Sequence, residues 1–220
     1  MYRVSINVVE RNVKAVNYQH RSGETPIAFR GTALMPDARG EARVESKKGY
    51  VEIEARFDDI EKSASQFGPE FLTYVLWSIT PEGRAKNLGE VVRDGDDGKL
   101  HVTTELQSFG MIVTAEPYFA VTQPSDVVVM ENFIRKDTKG EPEQIDAKFE
   151  LLKRGQYTAN ATPADLKPIV MDSKTPLDLL EARNAVRIAE WSGAQTNAPD
   201  VFKKAAARLK EAEDLQDHNK

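Results

Sequence analysis

The sequence predicts a mainly antiparallel β protein with α-helices at its C-terminal end, and three observations support this fold class. About nine or ten short apolar runs, separated by turn residues, follow one another through roughly the first 150 residues. Apolar and polar side chains alternate with a period of two in several of these runs, which is typical of strands. Beyond residue 160, alanine, lysine and glutamate replace valine, threonine and glycine, and apolar residues recur at helical spacing.

The longest near-continuous apolar run is FLTYVLWSIT, residues 71–80. Its aromatic and β-branched residues predict a strand that is buried on both faces. Because strand side chains alternate, Trp77 is expected on one face, with Tyr74 and Leu76 on the other. Pro81 and Gly83 follow at once and end the strand with a turn. These residues are therefore predicted to belong to the structural core.

Strands are also predicted before this run. Residues 2–18 have a mixed apolar pattern that indicates one or two edge strands, and residues 27–34 form a clearer strand that ends at Met35-Pro36-Asp37. Residues 42–46 and 50–57 alternate on either side of Lys47-Lys48-Gly49, which predicts a hairpin with one solvent-facing side.

The runs after the central strand continue the same pattern. They are residues 85–92, 100–106, 111–115, 127–134 and 147–153. The regular spacing of these strands favours an immunoglobulin-like β-sandwich over alternating βαβ units, and we assign it to residues 1–159.

The last part of the chain, residues 160–220, is predicted to be a linker and an antiparallel helical hairpin. Thr175 and Pro176 are typical of a helix start, and Gly193 is typical of a helix end. A second helix restarts near Pro199 after a loop short enough to make the two helices antiparallel neighbours. Trp191 is expected in the core of this unit, where it would close the open end of the hairpin.

The composition excludes several kinds of partner and site. The 220 residues carry 30 Lys and Arg against 35 Asp and Glu, whereas a nucleic-acid-binding surface needs a basic face. Without cysteine, the chain has no disulfide, thiolate metal site or cysteine nucleophile. No apolar run reaches the roughly 18 to 20 residues that a membrane-spanning helix needs. We therefore predict no nucleic-acid partner and no transmembrane segment in this chain.

Motifs that would indicate a reaction are missing from the sequence. The three histidines are far apart, glycines occur singly, and there is no nucleophile elbow. The turn at residues 94–98 only partly matches a calcium loop and is interpreted as a hairpin turn. Glu116 and Pro117 directly follow an apolar strand and are predicted to belong to the structural core, and we interpret Glu116 as a structural carboxylate rather than a catalytic acid. We predict no catalytic, cofactor-binding or metal-binding residue, and no enzyme.

Six short segments carry a resemblance to known families. They are YVLW (74–77), TPEG (80–83), NLGEV (87–91), TAEP (114–117), FRGTA (29–33) and FGPE (67–70). The first four resemble bacterial extracytoplasmic β-sandwich domains, including the C-terminal domain of anti-sigma-K factors. With the last two, the chain looks like the N-terminal part of acidobacterial-type OmpA-like envelope proteins. The helix pair is similar to an alanine-rich hairpin that often precedes an OmpA-like peptidoglycan-binding domain.

The resemblance implies a place in the cell more than an activity. It leads us to expect a non-enzymatic cell-envelope module, periplasmic or associated with the outer membrane, that links the sandwich to a peptidoglycan-binding domain. A leader and that wall-binding domain would lie outside this chain. The expected partner is then an envelope protein or the cell wall.

An alternative is a carbohydrate- or peptide-binding module. β-Sandwiches often present loops or a concave face to such ligands, and Phe109, Tyr118 and Phe119 could supply aromatic contacts there. The competing interpretation places these three rings in the core.

Overall fold

A computed structural model of the chain describes residues 8–19, 23–135, 145–153, 155–162, 164–172 and 174–218. Residues 2–7 of the first predicted strand, and the last two residues of the second predicted helix, lie outside this range. Within it, eleven strands precede three helices, which agrees with the predicted mainly antiparallel β protein with C-terminal helices.

The strands are numbered in chain order. They are β1 (Val8–Asn17), β2 (Glu24–Gly31), β3 (Arg39–Ser46), β4 (Val51–Asp58), β5 (Thr73–Ile79), β6 (Ala85–Glu90), β7 (Val92–Asp94), β8 (Asp97–Thr104), β9 (Ser108–Glu116), β10 (Val128–Phe133) and β11 (Ile145–Leu152). A short 3₁₀ turn, Ala64–Gln66, lies in the connection from β4 to β5. The predicted hairpin is confirmed as β3 and β4, whose side chains alternate between buried and solvent-facing positions.

All strand pairs are antiparallel, and they form one continuous sheet that branches at β9. One path runs β11-β1-β9-β10-β2-β3-β4-β8-β7, and β5 and β6 branch from β9. The sheet curls until β6 packs beside β8, so that it is nearly closed. Lys86 of β6 and Glu105, just after β8, form an ion pair across this approach, with Nζ and Oε1 2.9 Å apart.

This arrangement differs from the two separate stacked sheets of the predicted immunoglobulin-like sandwich. The difference arises because β9 bonds three other strands, β1, β5 and β10, and so joins what would otherwise be separate layers. The alternation of side chains predicts which face of a strand is buried, but it does not determine which strands pair.

Two apolar cores lie on opposite faces of β5. The larger contains Tyr74 and Leu76 and fills the curl of the sheet. The smaller contains Val75, Trp77 and Ile79, and the pair β1 and β11 covers it from outside. Every residue of β5 is buried, so the predicted strand with two buried faces is confirmed.

The helices are α1 (Leu177–Trp191), α2 (Ala194–Asn197) and α3 (Pro199–His218). α1 begins one residue after Pro176, and Gly193 follows its end with φ +76°, as its predicted place after a helix end requires. Arg183 in the middle of α1 binds Glu213 in the second half of α3, with Nε and Oε1 2.7 Å apart. Among the described residues, no helix combines the length and the apolar character needed to cross a bilayer.

The turn after β5 gives a first testable prediction. A Cβ at Gly83 would lie 1.9 Å from the backbone oxygen of Lys148, and φ at this glycine is +83°. We expect Gly83→Ala to destabilise the fold by about 2 kcal/mol or more, because the β11 backbone must move and the left-handed conformation is strained.

Gly95→Ala is the matched control. Gly95 also has positive φ, +65°, but a Cβ there would meet nothing within 4 Å. It should cost only about 1 kcal/mol, the strain of the backbone conformation alone. Urea unfolding of both variants measures the difference, and equal losses would contradict the importance of the close approach at Gly83.

Candidate functional site

Glu116, the last residue of β9, is fully buried and lies in a polar network between the strand ends. Its Oε1 accepts hydrogen bonds from the Thr114 hydroxyl at 2.5 Å and from the Ser125 backbone N–H at 2.7 Å. The Tyr157 hydroxyl donates to its Oε2 at 3.2 Å. Glu116 therefore ties β9 to the loop before β10 and to the segment after β11.

Burial raises the pKa of the Glu116 carboxyl to about 8, although the bonds from Ser125, Thr114 and Tyr157 partly oppose this. The carboxyl is therefore mostly protonated at neutral pH. Burial also raises the pKa of Tyr157. The Glu116 carboxyl is thus enclosed, and its hydrogen bonds connect three segments of the chain.

Trp77 extends the same network. Its indole is fully buried, and Nε1–H donates to the Thr114 hydroxyl oxygen at 2.8 Å, while that hydroxyl donates to Glu116. A buried indole needs such an acceptor, because an unpaired N–H in an apolar core is costly. The Trp77 side chain thus connects the Glu116 network to the smaller core.

The other predicted core residues lie in several places. Pro117 is buried, whereas Pro81 and Gly83 are half-buried in the turn after β5. Trp191 is also half-buried, with the Arg187 guanidinium 4.8 Å from the centre of its ring. The pair shields the last turn of α1 rather than filling a core.

The three aromatic residues considered for ligand contact are not brought together on one surface. Phe109 is fully buried, with its ring centre 4.7 Å from that of Tyr18, so it offers no surface to a ligand. Tyr118 is half-buried, and burial raises the pKa of its hydroxyl. Phe119 is 46% exposed. Only Phe119 of the three presents a large part of its aromatic surface to solvent.

The contact between α1 and the sheet is built around a buried amide that the sequence does not indicate as functional. Asn184 Nδ2 donates to the backbone oxygens of Glu70 at 2.6 Å and Pro117 at 2.8 Å. These residues flank β5 and β9, which pair directly. Leu180 and Ile188 are buried on either side of Asn184 along the helix. The amide thus holds α1 across the ends of two neighbouring strands.

Three carboxylates meet beside this contact, and we call Glu90, Asp178 and Glu181 the carboxylate cluster. One carboxylate oxygen from each lies within 4.8 Å of the other two. Glu90 ends β6, and its Oε1 accepts a hydrogen bond from the Thr73 hydroxyl. Asp178 and Glu181 lie three residues apart in the first turns of α1, and residues at this spacing share a helix face.

Glu181 is the unusual member of the carboxylate cluster. It is only 1% exposed, and neither of its oxygens accepts a hydrogen bond of ordinary geometry from a described residue. Burial and the neighbouring charge of Glu90 raise its pKa to about 8, while the backbone amide of Phe119 opposes this. No Lys, Arg or His in the described part of the chain lies within ion-pair distance of the three carboxylates.

A cleft of about 470 Å³ opens beside the cluster. Its walls include residues 63–65, Tyr74 and Leu177, together with Glu90 and Asp178 of the cluster. The two acids thus line a solvent-reached space while Glu181 lies buried behind them. Sequence patterns did not indicate this group, because Glu90 and the α1 acids are far apart in the chain and belong to no ligand motif. The sequence contains one indication of this group, because Glu181 is an acid beside the apolar stripe of α1 and such a position is close to the buried face of the helix.

Comparison of the chain with known protein families, with characterised proteins and with solved structures finds no match.

Proposed function

We propose that this chain is a non-enzymatic interaction module of the cell envelope, periplasmic or associated with the outer membrane. In this proposal the sheet of strands β1 to β11, which we call the β domain, holds a helical docking element that binds a protein partner. The envelope location depends on the resemblance of six short segments to extracytoplasmic proteins. The docking role depends on the helices themselves.

A solvent-facing apolar stripe on α3 is the observation that carries this proposal. Phe202, Ala206 and Leu209 lie on the partly buried side of α3. A second set of apolar residues, Val201, Ala205, Ala212 and Leu215, recurs at spacings of four, seven and three, and all four are exposed, with the exposed Arg208 between Ala205 and Ala212. Val201 is 69% and Leu215 66% exposed. An amphipathic partner helix recognises such spacing by laying its own apolar face on the stripe.

The attachment of α1 supports the same role. Asn184 fixes α1 to the strand ends, and α3 follows α1 through the short α2, with Arg183 and Glu213 joining the two long helices. The stripe is therefore presented at a defined position on the β domain. A spacer or docking element needs this property, since a loosely tethered helix loses entropy on binding.

The test is cross-linking of the purified chain to an envelope extract of a Gram-negative bacterium, with the cytosolic extract in parallel. We expect one product of defined mass from the envelope extract. The double variant Val201→Asp with Leu215→Asp should lose it by at least tenfold, because two charges would be buried at the interface. Circular dichroism should show an unchanged fold.

Val92→Asp is the matched control, because Val92 is 58% exposed and lies on the β domain. This variant should keep the full yield of product. If the double variant gives the same yield of product as the unchanged chain, the docking role is wrong. If only the cytosolic extract gives a product, the envelope location is wrong. Turnover of a small substrate that Glu116→Gln abolishes would overturn the non-enzymatic assignment.

A further inference from the structure

The carboxylate cluster has the composition of a cation site. All of its candidate ligand atoms are oxygens, from Glu90, Asp178 and Glu181. Hard cations such as Ca²⁺ and Mg²⁺ prefer carboxylate, hydroxyl and water oxygens, whereas zinc sites mostly use histidine and cysteine. Neither histidine nor cysteine belongs to this group.

The spacing of the three carboxylates fits one central ion. Their oxygens lie within 4.8 Å of one another, which oxygens on opposite sides of a Ca²⁺ ion at about 2.4 Å can span. The smaller Mg²⁺ demands near-ideal octahedral geometry at about 2.1 Å and keeps several waters, whereas Ca²⁺ accepts carboxylates in flexible geometry, so we assign the site to calcium. The cleft beside Glu90 and Asp178 leaves room for waters to complete the coordination shell.

Acidic clusters are common on protein surfaces, and the burial of Glu181 distinguishes this one. A carboxylate that is 1% exposed and accepts no hydrogen bond of ordinary geometry from a described residue at either oxygen is expensive to keep, unless a proton or a cation neutralises it. Its position places those oxygens toward Glu90 and Asp178. The buried oxygens of Glu181 are therefore suited to bind a cation.

We propose that Glu90, Asp178 and Glu181 bind one calcium ion between the end of β6 and the first turns of α1. The ion joins ligands from the β domain to ligands from the helix, so binding strengthens the attachment of α1 beside Asn184. This site is separate from the apolar stripe of α3 and does not depend on the proposed docking role. It also departs from the sequence prediction of no metal ligand, which the experiment tests directly.

The experiment is calorimetric titration of the full chain with Ca²⁺, and in parallel with Mg²⁺, after removal of metal with EDTA. We expect one Ca²⁺ per chain with a Kd between about 10 μM and 1 mM, and weaker binding of Mg²⁺. Asp178→Asn and Glu181→Gln should each weaken Ca²⁺ binding at least tenfold. Asp178 is exposed, so its variant folds even where a change at Glu181 disturbs packing.

Glu190→Gln is the matched control, since Glu190 is exposed near the opposite end of the same helix. It removes the same charge and should bind Ca²⁺ as the unchanged chain does. Thermal melting gives a second readout. Ca²⁺ should raise the Tm of the unchanged chain and of Glu190→Gln, but not that of Glu181→Gln, which in EDTA should be at least as stable as the unchanged chain.

Three results would overturn the proposal. If the unchanged chain shows neither binding heat nor a Tm shift up to about 10 mM Ca²⁺, well above the range expected for such sites, Glu181 is a protonated acid beside Glu90. If Ca²⁺ binds equally to the Asp178, Glu181 and Glu190 variants, binding is a diffuse effect of the acidic surface. Preference for Mg²⁺ over Ca²⁺ would overturn the choice of ion.

Discussion

Replacing Trp77 with alanine is expected to cost about 3 to 5 kcal/mol of unfolding free energy, because its indole is the largest fully buried side chain in the described part of the chain. The indole is fully buried in the smaller core between β5 and the pair β1 and β11. Truncation removes its apolar contacts and leaves a cavity that the surrounding strands fill only in part. The lost bond from Nε1 also leaves the Thr114 hydroxyl oxygen without its donor.

Urea unfolding measures this loss, and for a chain of this size the same change lowers the Tm by roughly 6 to 20 °C. Trp77→Phe separates the contribution of apolar packing from that of the Nε1 hydrogen bond, because it keeps a ring in the core but not the N–H donor. It should cost about 1 to 3 kcal/mol. Tyr50→Ala is the control, since Tyr50 is 42% exposed, and it should cost less than about 1 kcal/mol. A loss below about 1 kcal/mol for Trp77→Ala would show that Trp77 contributes little to the stability of the smaller core.

The stability of the chain relative to Glu116→Gln is expected to fall as pH rises between 4.5 and about 8. Burial raises the pKa of Glu116 from its ordinary value of 4.5 to about 8 in the folded chain. Below pH 4.5 both folded and unfolded chains hold the proton, and the contribution to stability is complete. Between the two values only the unfolded chain releases it, so the unfolded state is favoured. Above about pH 8 both states are charged and the loss levels off.

The expected slope in that window is about 1.4 kcal/mol per pH unit. The glutamine variant has no proton to release at this position, so subtracting its unfolding free energy isolates this carboxyl from other acids, Glu181 among them, that titrate in the same window. The measurement is urea unfolding of both proteins at about pH 5, 6.5 and 8. A pH-independent difference for Glu116→Gln would show that this carboxyl is not held protonated.

Trp77 and Glu116 belong to one hydrogen-bond network. Trp77 binds Thr114, and Thr114 binds Glu116. Changes at the two ends should therefore not add, and the double variant Trp77→Phe with Glu116→Gln should cost less or more than the sum by at least about 0.5 kcal/mol, the lower limit seen for contacting residues.

Much of the local structure could be predicted from particular residues. Alternation in residues 42–57 indicated the β3–β4 hairpin, and the apolar run around Trp77 indicated a strand with two buried faces. Gly193 marked the end of α1. These features depend on neighbours in the chain, because turn chemistry, side-chain period and helix ends involve only a few consecutive residues.

The long-range arrangement could not be predicted in the same way. β1 pairs with β11, so that Val13 lies opposite Ala147, and no pattern within either segment specifies the other. The sandwich prediction differs from the observed sheet for this reason. Alternation requires only that one face be buried, and a nearly closed sheet satisfies that requirement as well as two stacked sheets do.

The sequence by itself therefore determined the strand-rich body, the helical C-terminal part and the net negative charge. Only the tertiary structure decided that Glu116 is enclosed with Tyr157, that Asn184 holds α1 to two strand ends, and that Glu90 meets the acids of α1. Each of these contacts joins residues tens of positions apart, and their burial and charge come from the packing of whole elements. A carboxylate has the same chemistry in any sequence, and its surroundings in the fold determine whether it is a structural node, a cation ligand or part of the solvated surface.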